Sequence, residues 1–589
     1  MMSNLITSLM MFATLVVPSA FKNANNMPVR ASHPMTKTAE VGSGSQELRL
    51  MNVQDYIYVN DPENGYNEPD LVDQFKEYAK KRGYENVTVN YKTTDTPESM
   101  FNEVKLAPNN FDLICPSDYM IQKLVVNDMI MPMDIEGSIP NYVNNASPYI
   151  KNLLDSIEVY DNEGKPMLDE AGNPLKLEKY AVGYMWGTLG LLFDPAYNGR
   201  DPEKTVEDMQ SWSVLWDPDY KGIATVKDSV RDTYAIGLLH AYDKEFKALQ
   251  EQYDLSDPDN YEAYNKDFSE LFNQCDEEAL KKVYESLDSL KGNVFGMEVD
   301  SGKQDIVTGK IGINFAWSGD AVYSMEQAET EGNNGDGLEL YYSIPETGSN
   351  IWMDAWCMPK GERSEAQTEL AYLFLDFLSD PEYTAKNMDF TGYTPFIGGP
   401  EILELTREWY DYRYLDTSEM EAEEKAIYEA DFDEEGNLTP EAIKSKLQKV
   451  DLSYFFEGTL PLDEVDENGD PVYTEDDYIF YSDSYFVNAE KSDDGTITGG
   501  NRSVGGAFFT QFPDEYTLVR CAVMRDFGSQ NDAVLEMWEK FKSNALPVWA
   551  VVLFVVEIVA AATLVGYFYI GNRVKHNLRK KRKEEQNKK

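Results

Sequence analysis

The sequence predicts an α/β chain built on largely parallel sheets and fixed to a membrane by its C-terminus. Three observations predict this. Strand-like and helix-like segments alternate from Leu48 onward. The alternation resumes at Ile223. An apolar run at 546–570 is followed by a basic tail. Alternating β and α units place helices on both faces of a sheet, and ligands on such sheets sit at the carboxyl ends of strands.

The elements follow in order. Residues 48–53 form a short apolar strand ending in a polar turn. Leu71, Phe75, Tyr78 and Ala79 recur at helical spacing, and Gly83 closes that helix. Residues 87–91 alternate as a strand. Thr96-Pro97 opens a second helix, with proline in the first turn where it is tolerated. A buried strand at 111–115 leads through Pro116-Ser117 into a helix from Asp118. Tyr184-Met185-Trp186 follows a strand at 180–183. The strand at 223–226 runs into Asp228 to Asp232 and a helix through Leu239. The strand at 311–316 ends at Trp317-Ser318-Gly319-Asp320 and another helix, and 338–344 is again a strand. Ile351-Trp352-Met353-Asp354 precedes a strand at 355–358. Leu370, Phe374 and Phe377 mark a long helix, closed by Ser379-Asp380-Pro381. An amphipathic helix at 531–543, with Leu535, Trp538 and Phe541 inward, leads to the apolar run.

Charge supplies the topology. The chain has 104 Asp+Glu against 52 Lys+Arg, a net charge of −52. The tail after Ile570 carries nine Lys and Arg against Glu584 and Glu585, which leaves −59 on everything before it. Roughly 20 apolar residues suffice to cross a bilayer, and a basic flank stays on the cytoplasmic side. Trp549 and Tyr567 lie near the ends of the run, and Glu557 is its single charge. The acidic body is therefore expected outside the cell. Residues 1–20 read as an export signal, with an apolar stretch before Pro18-Ser19-Ala20 but no basic residues ahead of it. Residues 21–46 read as a polar linker.

Several function classes are disfavoured. A body this acidic lacks the positive surface that nucleic acid requires. Cys115, Cys275, Cys357 and Cys521 are widely spaced, without metal-ligand spacing, and read as buried free thiols. The acidic, turn-rich stretches at 158–177 and 416–500 read as surface insertions. Their Asp-Gly loops match a calcium hand poorly. Counting from Glu464, Gly469 and Glu475 fit but the first ligand does not, and counting from Asp431 the twelfth position is Ala442. Hairpin turns are the better reading. Of three histidines, only His240 lies in the body proper, with no nucleophile-elbow motif nearby. No enzymatic constellation, cofactor motif or metal site is predicted.

Binding is easier to assemble. Strand ends repeatedly set an aromatic beside a carboxylate: Asp55-Tyr56, Ser117-Asp118-Tyr119, Trp317 with Asp320, and Trp352 with Asp354. Asp232 lies in another strand-end loop, and Tyr393 lies in the turn Gly392-Tyr393-Thr394-Pro395. An aromatic face attracts an organic cation by about 0.5–2 kcal/mol, and a carboxylate gives an ammonium charged hydrogen bonds. Aromatic walls with anionic ends suit a linear alkyl diamine or polyamine.

The ordered set extends further, through Asp112 to Tyr119, Tyr184-Met185-Trp186-Gly187-Thr188, Ser211 to Trp216, Ser229-Val230-Arg231-Asp232 and Trp317 to Ala321. With Ile351 to Asp354 and Gly392 to Pro395, it resembles the spermidine/putrescine-binding proteins of ABC transporters, over about 48–543 outside the two insertions. The resemblance implies a type II periplasmic-binding-protein fold, two-lobed like a venus flytrap, with crossing hinge strands. It implies one lobe from 47–152 and 353–398, and another from 153–352 and 399–544. The family's polyamine contacts would fall on Tyr56, Ser117, Tyr119, Asp232, Trp317, Trp352, Asp354 and Tyr393. Trp352 and Tyr393 would flank the methylene chain. Asp354 would hold one amine, and Asp232 the other end or the central nitrogen. The sequence departs from the family at Val53, where a tryptophan is common, at Ser229, where a carboxylate is common, and at Met524, near a late glutamine. These changes thin the contacts for a longer triamine. The expected function is a monomeric, membrane-anchored receptor that hands polyamine to an ABC permease. The alternatives are a receptor for another small solute, such as an amino-acid derivative or ferric ion, a tethered sensory or adhesive ectodomain, and a carboxylate-type enzyme.

Overall fold

The computed structural model describes residues 46–543, except 63–64, 330–337, 419, 421 and 467. The chain divides into two compact units, Met1–Leu535 and Glu536–Lys589. The predicted span at 546–570, the expected export signal and nearly all of the expected linker lie outside the described residues. Among the described residues, no helix is long and apolar enough to cross a membrane.

Strands β1 (Gln46–Val53), β2 (Val87–Thr94) and β3 (Leu113–Ile114) form a parallel sheet in the order β2-β1-β3. Helices at Leu71–Lys81 and Pro97–Leu106 connect them. The first helix buries Leu71, Phe75, Tyr78 and Ala79, the stripe its spacing predicts. The second begins where the Thr96 hydroxyl caps the Ser99 amide. Strand β4 (Ile130–Met131) follows helix Asp118–Val126.

Strand β5 (Val182–Phe193) is buried along its whole length and joins two sheets. Its second half pairs with β8 (Ile313–Trp317) and β9 (Tyr341–Ser343). The sheet continues from β8 to β6 (Ala224–Lys227) and β7 (Gly296–Glu298), both in parallel pairings. The first half of β5 pairs with β10 (Ser349–Trp356) and, beyond β11 (Met358–Pro359), with β12 (Thr394–Pro395). Strand β11 returns to β4, and Cys357 bridges to Ile114, so β10 and β11 lead back to the first sheet. Thus β5 and β10 run between two α/β layers as the crossing strands.

Two sequence assignments change here. Tyr184-Met185-Trp186 lies within β5, not after a strand, and Trp352 and Asp354 lie within β10, not before one. Paired strands buried on both faces show no alternation that would reveal their extent.

The acidic stretch 416–500 is also more than a surface insertion. It holds the hairpin Gln448–Asp451 with Ile479–Ser482 and buries Leu452, Phe455, Phe456 and Phe480. Its turns close on themselves. Asp433 Oδ1 accepts the amides of Glu435 and Asn437, and Asp466 Oδ1 those of Asn468 and Asp470. Asp161 and Asp169 do the same in the earlier stretch. These carboxylates serve the hairpin turns. Among the described residues, no cluster of His, Cys, Asp or Glu could hold a metal ion. All four cysteines are free, and three are buried.

Candidate functional site

The site is centred on Asp354. Strand β10 shifts register against β5 between Asp354 and Ala355, and such a bulge re-aims the local side chains. The preceding backbone is pinned where Asp118 Oδ2 accepts the Met353 amide at 2.9 Å. Ser117 forms a β-bridge with Asp354. The Tyr56 hydroxyl donates to Asp354 Oδ2 at 2.8 Å. Oδ1 is out of solvent and has no hydrogen-bond partner. Burial pushes the Asp354 carboxyl up to about 6, against the bonds from Ser117 and Tyr56. Burial likewise pushes Asp118 up to about 8, and the charge of Asp354 adds to the rise.

Three rings cover this carboxylate. Tyr393 meets Tyr56 edge to face at 5.1 Å and Trp352 at 5.5 Å. Trp352 and Tyr393 therefore touch each other edge to face. Trp352 Nε1 is buried without a partner. Glycines make the approach possible. A Cβ on Gly187 would lie 2.7 Å from the Trp352 ring, and one on Gly319 would lie 2.3 Å from the Tyr393 ring. Tyr56 is itself positioned by Tyr184, whose hydroxyl donates to the Tyr56 carbonyl at 2.6 Å.

The remaining expected residues form a second arc. The Tyr393 hydroxyl donates to Asp320 Oδ1 at 2.8 Å. Trp317 ends β8, with the Lys227 ammonium 4.3 Å from its ring centre. Asp232 sits in the first turn of helix Val230–Ala241, which Ser229 caps. Burial pushes Asp232 up to about 6, opposed by the Ser229 bond and the Lys227 charge. Tyr119 donates to Glu98 at 3.0 Å, and the Arg231 guanidinium lies 4.1 Å from its ring centre. So Tyr56, Ser117, Trp352, Asp354 and Tyr393 form one cluster. Trp317 reaches that cluster through Lys227 and Asp320, and Tyr119 and Asp232 adjoin Glu98 and Arg231.

Sequence reasoning missed the cations Lys227, Lys303 and Arg231, together with Glu98 and Glu298. Met524 accepts from Gln122 through its carbonyl at 3.2 Å. It lines a cavity of about 470 Å³ with Gln122, Tyr149 and Asn265. The glutamine next to Tyr393 is Gln511, buried, donating to the Gly392 carbonyl at 2.8 Å and accepting from Tyr410 at 2.7 Å. His240 is stacked on Trp216 at 3.8 Å and bonded to Ser286, as a packed interior side chain.

Two α/β layers sharing long strands, with a carboxylate and aromatic rings where they meet, define the class: a two-lobed solute-binding protein. A family model described as bacterial extracellular solute-binding protein matches residues 70–399, more than half of the chain, and the chain belongs to that family. The spermidine/putrescine-binding periplasmic protein of Salmonella typhimurium is 25% identical over 340 residues, 57% of this chain and 77% of that protein. The putrescine-binding periplasmic protein PotF of Escherichia coli is 23% identical over 350 residues, 59% of this chain and 76% of that protein. Among solved structures, the spermidine/putrescine transporter substrate-binding protein PotD of Streptococcus pneumoniae is 24% identical. It covers 61% of this chain and 85% of its own, with a TM-score of 0.41. These relatives are binding proteins, not enzymes.

Proposed function

We propose that this chain captures a polyamine outside the cell and delivers it to an ABC permease, held at the membrane by residues 546–570. One observation carries the ligand reading. Asp354 presents a buried oxygen without a partner beneath Tyr56, Trp352 and Tyr393. Among the described residues, it forms no ion pair. A buried carboxylate in that state calls for a cation, and aromatic rings favour an organic one over a hydrated metal ion. The names of the relatives support the same class of ligand. A membrane anchor would raise the receptor's concentration near its permease.

Calorimetry of the full chain with putrescine, spermidine and free amino acids tests this. Binding of at least one polyamine is expected, and its absence at millimolar concentration would overturn the reading. Asp354→Asn should weaken binding by about 1.5–3 kcal/mol, the scale of a hydrogen bond to a charged group. Unchanged affinity would make Asp354 structural.

A further inference from the structure

The site contains a cation of its own. Lys227 ends β6, and its side chain is fully out of solvent. Its ammonium lies 3.2 Å from Glu298 Oε1 and 3.4 Å from Asp320 Oδ2. It donates to the Val299 carbonyl at 2.9 Å and covers the Trp317 face. An ammonium stays charged in the interior only when anions and acceptors surround it. Here they do, with Glu298 and Asp320 both ion-paired to the ammonium. Asp320 Oδ1 accepts from Tyr393 at 2.8 Å and lies 3.8 Å from the Lys303 ammonium. Glu298 Oε2 accepts the Gly302 amide at 2.9 Å. The Trp317 face, an expected ligand contact, and the two carboxylates beside it already hold an amine from the chain. A second ammonium there would meet the like charge of both lysines.

Resting on the amine reading above, we propose that Lys227 sets the length of the ligand. It stands in the Trp317–Asp320–Glu298 corner as a permanent substitute for a distal ligand ammonium. The site therefore takes short diamines held at Asp354 and turns away longer triamines. Asp232 is the remaining anionic end, and among the described residues it too forms no ion pair.

The test is calorimetry of the full chain with putrescine, cadaverine and spermidine. The unaltered protein should bind putrescine at least about tenfold more tightly than spermidine. Lys227→Met should shift that ratio toward spermidine by about tenfold. Should that variant not fold with Glu298 left without its ammonium, K227M/E298Q removes one charge of each sign and should show the same shift. Spermidine bound by the unaltered protein as tightly as putrescine, or an unchanged ratio in a folded variant, would overturn the proposal. If the unaltered protein bound no amine at all, the amine reading itself would fall, and this proposal with it.

Discussion

Asp354 accepts from Tyr56 and Asp320 from Tyr393, two rings in edge-to-face contact, and the carboxylates differ in their other partners. Asp320 has its cations supplied by the chain, Lys227 at 3.4 Å and Lys303 at 3.8 Å. Asp354 has hydroxyl donors and one oxygen with no partner. The first is a completed structural pair that fastens β8 and β6 to the Tyr393 turn. The second is incomplete and costs the free protein something to maintain. The buried carboxylate thus serves the fold, and the half-buried one is the proposed ligand group.

The comparison can be broken at either end. The largest effect is expected from Asp320→Asn, which leaves the buried Lys227 ammonium with Glu298 as its one carboxylate partner and takes one of two carboxylates from Lys303. It should destabilise the fold by about 3–5 kcal/mol in a denaturant titration. A loss below 1 kcal/mol would mean the pair is worth no more than an exposed one. Asp354→Asn should behave in the opposite way, losing ligand without losing stability. The Asp354 carboxyl is raised to about 6 in the fold, above its ordinary value of about 3.9. A raised acid binds its proton more tightly when folded, so its contribution to stability falls as pH rises between those two values. Removing that charge should leave the unfolding midpoint at pH 7 unchanged or higher.

A smaller effect sharpens the role of closure. Gly319→Ala places a methyl against the Tyr393 ring, and such overpacking should cost about 1–2 kcal/mol of ligand affinity. Full affinity would show that the ring has room to move. The mildest probe is pH. Asp354 and Asp232 are both raised to about 6, whereas an alkyl amine stays protonated to about pH 10. Affinity should hold from pH 8 to 7 and then fall below pH 6, by about tenfold per pH unit for each carboxylate that must ionise. A flat profile from pH 7 to 5 would remove both from the ligand's charge balance.

Much of this was legible in the sequence because it is local. Aromatic and acidic residues one or two positions apart can be read directly, and Tyr56, Trp352 and Tyr393 gather beside Asp354. Helices with a single apolar stripe, such as Leu71–Lys81, were equally plain. What stayed hidden is non-local. Lys227 at the end of an apolar strand reads as a solvated terminus in an acidic body, and only the approach of Glu298 and Asp320 makes it an interior cation. The extent of β5 was hidden by its own uniformity, since Gly183, Gly187 and Gly190 look like turns until rings are found packed on them. Phe455, Phe456 and Phe480 were masked by the acidic hairpins around them. There, local polarity was a poor guide to what the segment buries.

Because β5 serves two sheets, its length is fixed twice over. Deleting one residue between 182 and 193 would put the half that pairs with β10 out of phase with the half that pairs with β8. The Asp433 hairpin is the converse case, exposed and closed by its own amides. A fluorescent reporter spliced at Gly436 should therefore leave the sheets in register, and that turn is the natural place to tag this receptor.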